Sequence, residues 1–343
     1  MIKDLLQEAF ALKESGHYKH AIEVFYKALE LDNSSSELLL EIADLYDRIG
    51  NEEKALSYIE QILDKDPTHI DALKFLKRVF ERKEAWQEAE QTAKNIYCIS
   101  HNSADLAEIF KLLINQNKFD EIFEFKFDTE DKYVCLELAR AYYYKKDFQK
   151  ALKILTKIQP QMADNQDFLL LLGQCYYYSN QKERCIEIIS QFNAKNAEQM
   201  NFLGLVETYL ENYKEAVSYF NNAIKQNRSN SEYYYNLANV YFKQGELALA
   251  KRNYNLAISI CPENQNYHFA LANLYYSEKH YKKALEELEG DFFEARFLKA
   301  VILYETGYLA LARKELSELA LEYPNRQMVN EYMTRINSEL GLN

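Results

Sequence analysis

The chain has 343 residues, with 48% hydrophobic positions, enough for a sizeable core, and a formal net charge of −12. That balance argues against general nucleic-acid binding, which needs clustered Lys and Arg, and against docking on anionic lipid. Only 8 Gly and 4 Pro are present, where average usage would give roughly 24 and 17, so hairpin-rich and phosphate-loop architectures are disfavoured and helix is expected nearly throughout.

The N-terminal MIKDLLQEAFALKESG carries Lys3, Asp4 and Glu8 and no uninterrupted apolar run, so it does not read as a signal peptide. No stretch approaches the ~18 apolar residues of a membrane span. The five cysteines, Cys98, Cys135, Cys175, Cys185 and Cys261, form no CxxC and are odd in number. Buried thiols in a reducing, cytoplasmic compartment are the expectation.

Along the chain a pattern recurs. The triplets Tyr142–Tyr143–Tyr144 and Tyr176–Tyr177–Tyr178 lie 34 residues apart, and a third, Tyr233–Tyr234–Tyr235, falls off that period. Segments 16–32, 50–67, 84–99, 146–158, 211–227, 245–262 and 307–324 align so that an Ala follows each turn by five residues. The full series is Ala21, Ala55, Ala89, Ile122, Ala151, Cys185, Ala216, Ala250, Ala284 and Ala312. A small side chain there lets two antiparallel helices approach closely. Gly16, Gly50, Gly245 and Gly307 fall in the turns, where φ > 0 is easily reached. Gly173 and Gly204 fall on the preceding helix, where each is expected to face the small residue of the next one. Pro67, Pro262 and Pro324 fall just after second helices.

This pattern resembles the tetratricopeptide repeat, most clearly at Tyr234, Leu237, Ala238, Tyr241, Gly245, Ala250, Tyr254, Ala257 and Pro262. The resemblance implies an all-α fold, a right-handed α-solenoid superhelix of antiparallel helix pairs. Ten units are expected over 1–326, starting near 2, 36, 70, 103, 132, 166, 197, 231, 265 and 293. The third lacks the turn glycine, and the sixth has Cys185 for the small Ala. The fourth and ninth are short, around EFKFDTED and ELEGDF, and lie five repeats apart, as a duplicated block of five would place them; each could kink the superhelix or leave a pocket. In 327–343, Met328, Tyr332, Ile336 and Leu340 form an apolar stripe, expected as a capping helix that covers the end of the array.

The motifs for chemistry are missing. The sequence has no GxGxxG, no GxxxxGK[ST], no HExxH and no zinc-like Cys/His cluster. His17 and His20 flank a turn without a third ligand nearby in sequence. Cys175 and Cys185 fall on facing helices of one repeat, where two buried small hydrophobes are expected rather than a redox pair. The expectation is a non-enzyme without metal or cofactor.

In the family the resemblance points to, first helices line a concave groove that holds a partner's peptide or helix. By register the inward positions are Leu136, Arg140 and Tyr143; Leu170, Gln174 and Tyr177; Tyr235, Asn239 and Phe242; Phe269, Asn273 and Tyr276; and Phe297, Val301 and Tyr304. Asn and Gln amides can pair with the backbone of an extended peptide whatever its side chains, and aromatic rings offer low-entropy apolar surface. The resemblance also implies core positions for Tyr142, Tyr176 and Tyr234. Lys74 and Arg78 stand where a carboxylate-clamp subfamily holds an acidic C-terminus, but the rest of that clamp is replaced by Leu6, Phe10 and Asp44. A local acidic-peptide contact is the remaining reading there. The expected function is a protein-interaction scaffold with a protein or peptide partner, without nucleic acid or membrane insertion. A self-assembling structural subunit is the alternative and a ligand-responsive regulatory protein a lesser one.

Overall fold

The computed structural model describes residues 2–32, 35–125, 131–192, 194–288 and 290–342. Among them are 21 helices and no strand. The chain separates into two bodies, one ending at Ile188 and one beginning at Ile189.

The first body contains α1 (Ile2–Glu14), α2 (Tyr18–Leu31), α3 (Ser36–Arg48), α4 (Glu52–Lys65), α5 (Ile70–Arg82) and α6 (Trp86–Ser100). It continues with α7 (Ser103–Asn115), α8 (Phe119–Glu124), α9 (Lys132–Tyr144), α10 (Phe148–Met162), α11 (Gln166–Tyr178) and α12 (Lys182–Ile189). The second body contains α13 (Ala197–Tyr209), α14 (Tyr213–Gln226), α15 (Ser231–Lys243), α16 (Leu247–Ile260), α17 (Gln265–Ser277), α18 (Tyr281–Glu287), α19 (Phe293–Glu305), α20 (Leu309–Glu322) and α21 (Gln327–Glu339).

The starts of the first helices are written in side-chain oxygens. Ser35, Asn102, Asp131, Asn165, Asn196, Asn230 and Asn264 each accept a backbone N–H of the turn they open. The turn into each second helix has one geometry. Gly16, Gly50, Gly245 and Gly307 take left-handed φ of 77° to 83°, and Glu84, Asn117, Lys146, Asn180, Glu211 and Lys279 take φ of 56° to 63°. The residue after each turn position donates to the carbonyl five residues back, as His17 does to Leu12 at 2.9 Å and Tyr308 to Leu303 at 2.8 Å. This satisfies the last carbonyls of the helix while reversing the chain. Six turns therefore hold the glycine conformation without glycine.

The small-residue series is buried throughout: its eight alanines and Ile122 are fully buried, and Cys185 nearly so. Four residues on, Phe25, Ile59, Leu155, Phe220, Tyr254 and Leu316 are buried as well, making one apolar stripe per second helix. Gly204 departs from expectation. A Cβ there would come within 2.8 Å of the Phe220 ring, so this glycine makes room for a large ring rather than meeting Ala216. Gly173 does meet the small residue, its carbonyl accepting from Cys185 Sγ at 3.5 Å.

Three second helices are short: α8 has 6 residues, α18 has 7 and α12 has 8. The first two match the shortened units read from the sequence; α12 was not marked there. Part of the EFKFDTED stretch, residues 126–130, and Glu289 of ELEGDF lie outside the described residues.

The terminal helix α21 packs on α19 and α20 but not through the stripe expected. Val329 and Ile336 are buried and Tyr332 is half-buried, while Met328 and Leu340 are exposed. The true stripe uses spacings of 3 and 4, close to the helical period. A strict spacing of 4 drifts away from the buried face by about 40° per step. The third triplet is corrected too: Tyr233, not Tyr234, is the buried ring. Tyr142 is half-buried and stacks on Phe123 at 4.5 Å, and Tyr176 is buried.

Candidate functional site

In the first body, the first helices carry three neighbouring depressions of about 300 to 400 Å³. One lies between α1, α3 and α5, the next between α5, α6 and α7, and the third between α7, α9 and α11. Lys74 and Arg78 form the wall shared by the first two, and Ala104 and Glu108 the wall shared by the second pair.

These walls are lined with charges of both signs. Lys13 bridges Glu41 at 2.6 Å and Asp44 at 2.9 Å, and Lys77 bridges Glu81 and Glu108, both at 3.0 Å. Lys74 is held loosely, 4.0 Å from Asp105. Arg78 stands 4.0 Å from both Asp44 and Asp47 and lies over the Phe75 ring at 4.9 Å. The two cations keep their hydrogen-bonding capacity, but carboxylates screen them. That screening, invisible in the spacing of Lys74 and Arg78, comes from α3 and α7.

Farther along, Arg140 lies in the third depression and bonds Glu137 through Nε at 3.1 Å. Glu137 is buried, and burial pushes its carboxyl above the usual range, which the charge of Arg140 only partly offsets. Tyr143, Gln174 and Tyr177 are half-buried. Tyr143 lies in a ring cluster with Tyr144, Phe148 and Tyr178 at 5.4 to 6.0 Å. Leu136 and Leu170, expected inward beside them, are buried packing residues.

The second body presents amides and rings instead. Asn239 on α15 and Asn273 on α17 hold corresponding positions and are both half-buried. The buried Tyr254 on α16 donates its hydroxyl to Asn239 Oδ1 at 2.7 Å. That bond fixes the amide orientation and leaves the NH2 group as its outward-facing chemistry. Asn273 has no side-chain hydrogen bond among the described residues. One turn before Asn239 on α15 stands Tyr235, whose ring lies 6.0 Å from Tyr254 and 4.9 Å from Tyr267. Phe242 is half-buried, and Phe269 meets Phe292 edge-on at 5.4 Å.

The remaining tyrosines are tied down. Tyr276 donates to Glu305 at 2.8 Å, and Tyr304 donates to Glu339 at 2.5 Å while its ring meets Tyr332 at 5.7 Å. Burial and the Glu305 carboxylate raise the Tyr276 phenol above its ordinary value. Val301 is buried, and Phe297 packs on Phe293 and Tyr332. Sequence reasoning missed Tyr254, Glu305 and Glu339, because each acts from a neighbouring helix. The 15-residue step from Asn239 to a core tyrosine was the only available signal.

The thiols are quiet. Burial pushes Cys175 up to about 12 and Cys185 up to about 11, so neither is a thiolate near neutral pH. Among the described residues, no group of three or more His, Cys, Asp or Glu is arranged to hold a metal ion, and no helix is long and apolar enough to cross a membrane.

Comparisons with known proteins agree with the helix-pair architecture. Residues 12–79, 204–245 and 231–264 match models of the tetratricopeptide repeat, and residues 144–223 match the model of anaphase-promoting complex, cyclosome, subunit 3. Among solved structures, the APC/C hetero-tetramer Cut9–Hcn1 aligns with a TM-score of 0.62 at 13% identity, covering 97% of this chain and 75% of that one. PilF of Pseudomonas aeruginosa aligns with a TM-score of 0.49 at 16% identity, covering 64% and 99%. The protein MamA aligns with a TM-score of 0.38 at 26% identity, covering 46% and 91%. No curated protein matches the chain. Separate stretches of the sequence match models of the tetratricopeptide repeat, and helix pairs joined by one repeated turn run along both bodies, so the chain carries tetratricopeptide-type repeats.

Proposed function

We propose that the chain is a non-enzymatic scaffold that holds an extended peptide or a helix of a partner protein along the first-helix faces of its repeats. In this reading it is built of ten repeats over 1–326 and a capping helix over 327–343. The observation that carries it is the pair Asn239 and Asn273. Two amides one repeat apart, one pre-oriented by Tyr254 and the other without a side-chain partner among the described residues, suit pairing with a peptide backbone. Tyr235, Phe242 and Phe269 supply the apolar surface beside them, with Tyr276 and Tyr304 at its margin. In the first body, Arg140, Tyr143, Gln174 and Tyr177 are the corresponding contacts, and Lys74 with Arg78 takes a carboxylate. A cytoplasmic setting fits the five free cysteines, three of them buried.

Affinity capture with mass spectrometry, comparing the parent with an Asn239→Ala/Asn273→Ala chain, tests the reading. The expected result is loss of captured partner with a thermal midpoint within a few degrees of the parent. Equal capture by the double variant would sink it.

A second reading, a subunit that assembles through its repeats, is favoured by the outer side of α16. There Leu249, Leu256 and Ile260, spaced by 7 and 4, are each 38% to 40% exposed. The match of 144–223 to a subunit model supports the same idea. Light scattering decides it: a Leu256-dependent dimer favours assembly, and a concentration-independent monomer excludes it.

A further inference from the structure

α7 and α9 carry the same pair of charges at the same place. Counted from the helix start, the sixth residue is acidic and the ninth basic: Glu108 and Lys111 on α7, Glu137 and Arg140 on α9. The two glutamates are used differently. The Glu108 side chain is 39% exposed and has both oxygens occupied, Oε1 by Lys111 at 2.6 Å and Oε2 by Lys77 at 3.0 Å. The Glu137 side chain is 4% exposed and has one oxygen occupied, Oε2, by Arg140 Nε at 3.1 Å. Among the described residues, neither Glu137 nor Arg140 makes another side-chain hydrogen bond. Glu137 Oε1 and both terminal nitrogens of Arg140 therefore keep their bonding capacity. An unfilled acceptor on a buried carboxylate is costly.

That oxygen is not sealed in. Among the described residues, Ser179 Oγ is the one enclosed side-chain atom without a partner. Glu137 Oε1 thus has an opening, and Glu137 lines the depression of about 300 Å³ between α7, α9 and α11. Such a volume is at the lower end for ligand pockets and suits one side chain. Arg140 lines it as well, together with Asn165 and Asp167 at the start of α11. Asn165 Oδ1 accepts from the Phe168 N–H at 2.9 Å, which leaves its NH2 group as a donor. Ala104, Ala107 and Leu136 supply apolar wall.

We propose that this depression is a specificity pocket for a glutamine or asparagine side chain of the partner segment. It deepens the first-helix reading above and rests on it. A carboxylate would meet the Arg140 fork but also the charges of Glu137 and Asp167. An ammonium or guanidinium group would meet Glu137 but also Arg140 and Lys111, which lines the same depression. A carboxamide carries no net charge and supplies both roles: its carbonyl accepts from Arg140, and its NH2 group donates to Glu137 Oε1. Its methylene stem lies against the apolar wall.

Panning a random-peptide display library on the full chain tests this. Burial raises the Glu137 carboxyl while Arg140 and Lys111 oppose the rise, so the experiment is run at about pH 8, where the charged form is favoured. The selected peptides are expected to fix Gln or Asn at one position. In fluorescence anisotropy, a labelled copy of the leading peptide should lose about tenfold in affinity when that residue becomes Glu or Ala. The Ala copy separates a side-chain carboxamide from main-chain amides, which every copy carries. In Glu137→Gln the repelling charge is gone and the Arg140 fork remains, so the Glu copy should bind at least as tightly as the Gln copy. Matching circular dichroism spectra and thermal midpoints show that the variant is folded. If the parent selects no peptide, the first-helix reading falls and this pocket with it. Selected peptides without a fixed Gln or Asn, equal binding of the Ala or Glu copy by the parent, or unchanged discrimination in Glu137→Gln would each overturn the pocket alone.

Discussion

In the first body, the first helices carry charge pairs, some between helices and some within one: Lys13 between Glu41 and Asp44, Lys77 between Glu81 and Glu108, Arg140 on Glu137. In the second, α15 and α17 present Asn239, Asn273, Tyr235 and Phe269. The helix pair and its turn are the same in both. The contrast shows that the repeat's packing stripe and its first-helix surface are separate sets of positions, so one can be held while the other changes chemistry. It also separates how the two bodies should respond to perturbation: pH acts on the charges of the first, and packing defects read out locally in the second.

The largest effect is expected from Phe220→Ala in the second body. This fully buried ring fills the space that Gly204 leaves open, and its loss should cost about 3–5 kcal/mol in denaturant unfolding. Because repeats contact only their neighbours, amide exchange should accelerate across α13–α16 and stay near parent rates across α1–α6. Uniform acceleration along the chain would break the comparison between bodies.

Acid comes next. Burial alone would raise the Glu90 carboxyl, but hydrogen bonds from Lys118 at 2.8 Å, Lys94 at 2.5 Å and Gln116 at 2.9 Å hold it down at about 2. The unfolded chain then binds this proton more readily than the folded one. The stabilisation is fully present above about pH 5 and disappears as pH falls toward 2, a change of roughly 2 kcal/mol. Glu90→Gln should flatten the acid limb of the stability curve by that amount, and an unchanged limb would count against this network.

Tyr254→Phe sharpens the site itself. Removing one hydroxyl should cost about 1 kcal/mol of stability and free the Asn239 amide to rotate, weakening partner capture although Tyr254 is buried beneath the surface. Undiminished capture would show that Asn239 needs no orientation from below.

The smallest effects belong to the turns. Glu84→Gly in the first body and Lys279→Gly in the second relieve left-handed φ values of 56° and 60°, and each should stabilise by about 0.5–1 kcal/mol. Unequal gains, measured by thermal unfolding, would show that the two bodies strain the same turn differently.

How much was legible follows from what each feature depends on. The small-residue series and the four glycine turns could be read because packing within a helix pair is a local matter, set by residues close in sequence. Met328 and Leu340 were misassigned because the buried face of α21 is chosen by α19 and α20. Tyr233 replaced Tyr234 as the buried ring for a similar reason: the third triplet opens its helix, and neighbouring helices decide which ring turns inward.

The linear pattern alone therefore determined that the chain is helical and that its helices pair through a repeated small position, as tetratricopeptide-type repeats do. Periodicity and turn stereochemistry act within one repeat, over residues adjacent in the chain. Tertiary structure decided that carboxylates screen Lys74 and Arg78, that Tyr254 orients Asn239, and that Glu305 and Glu339 hold Tyr276 and Tyr304. These depend on which side chains of adjoining helices meet, and the direction of a side chain becomes fixed only when the neighbouring helix is in place.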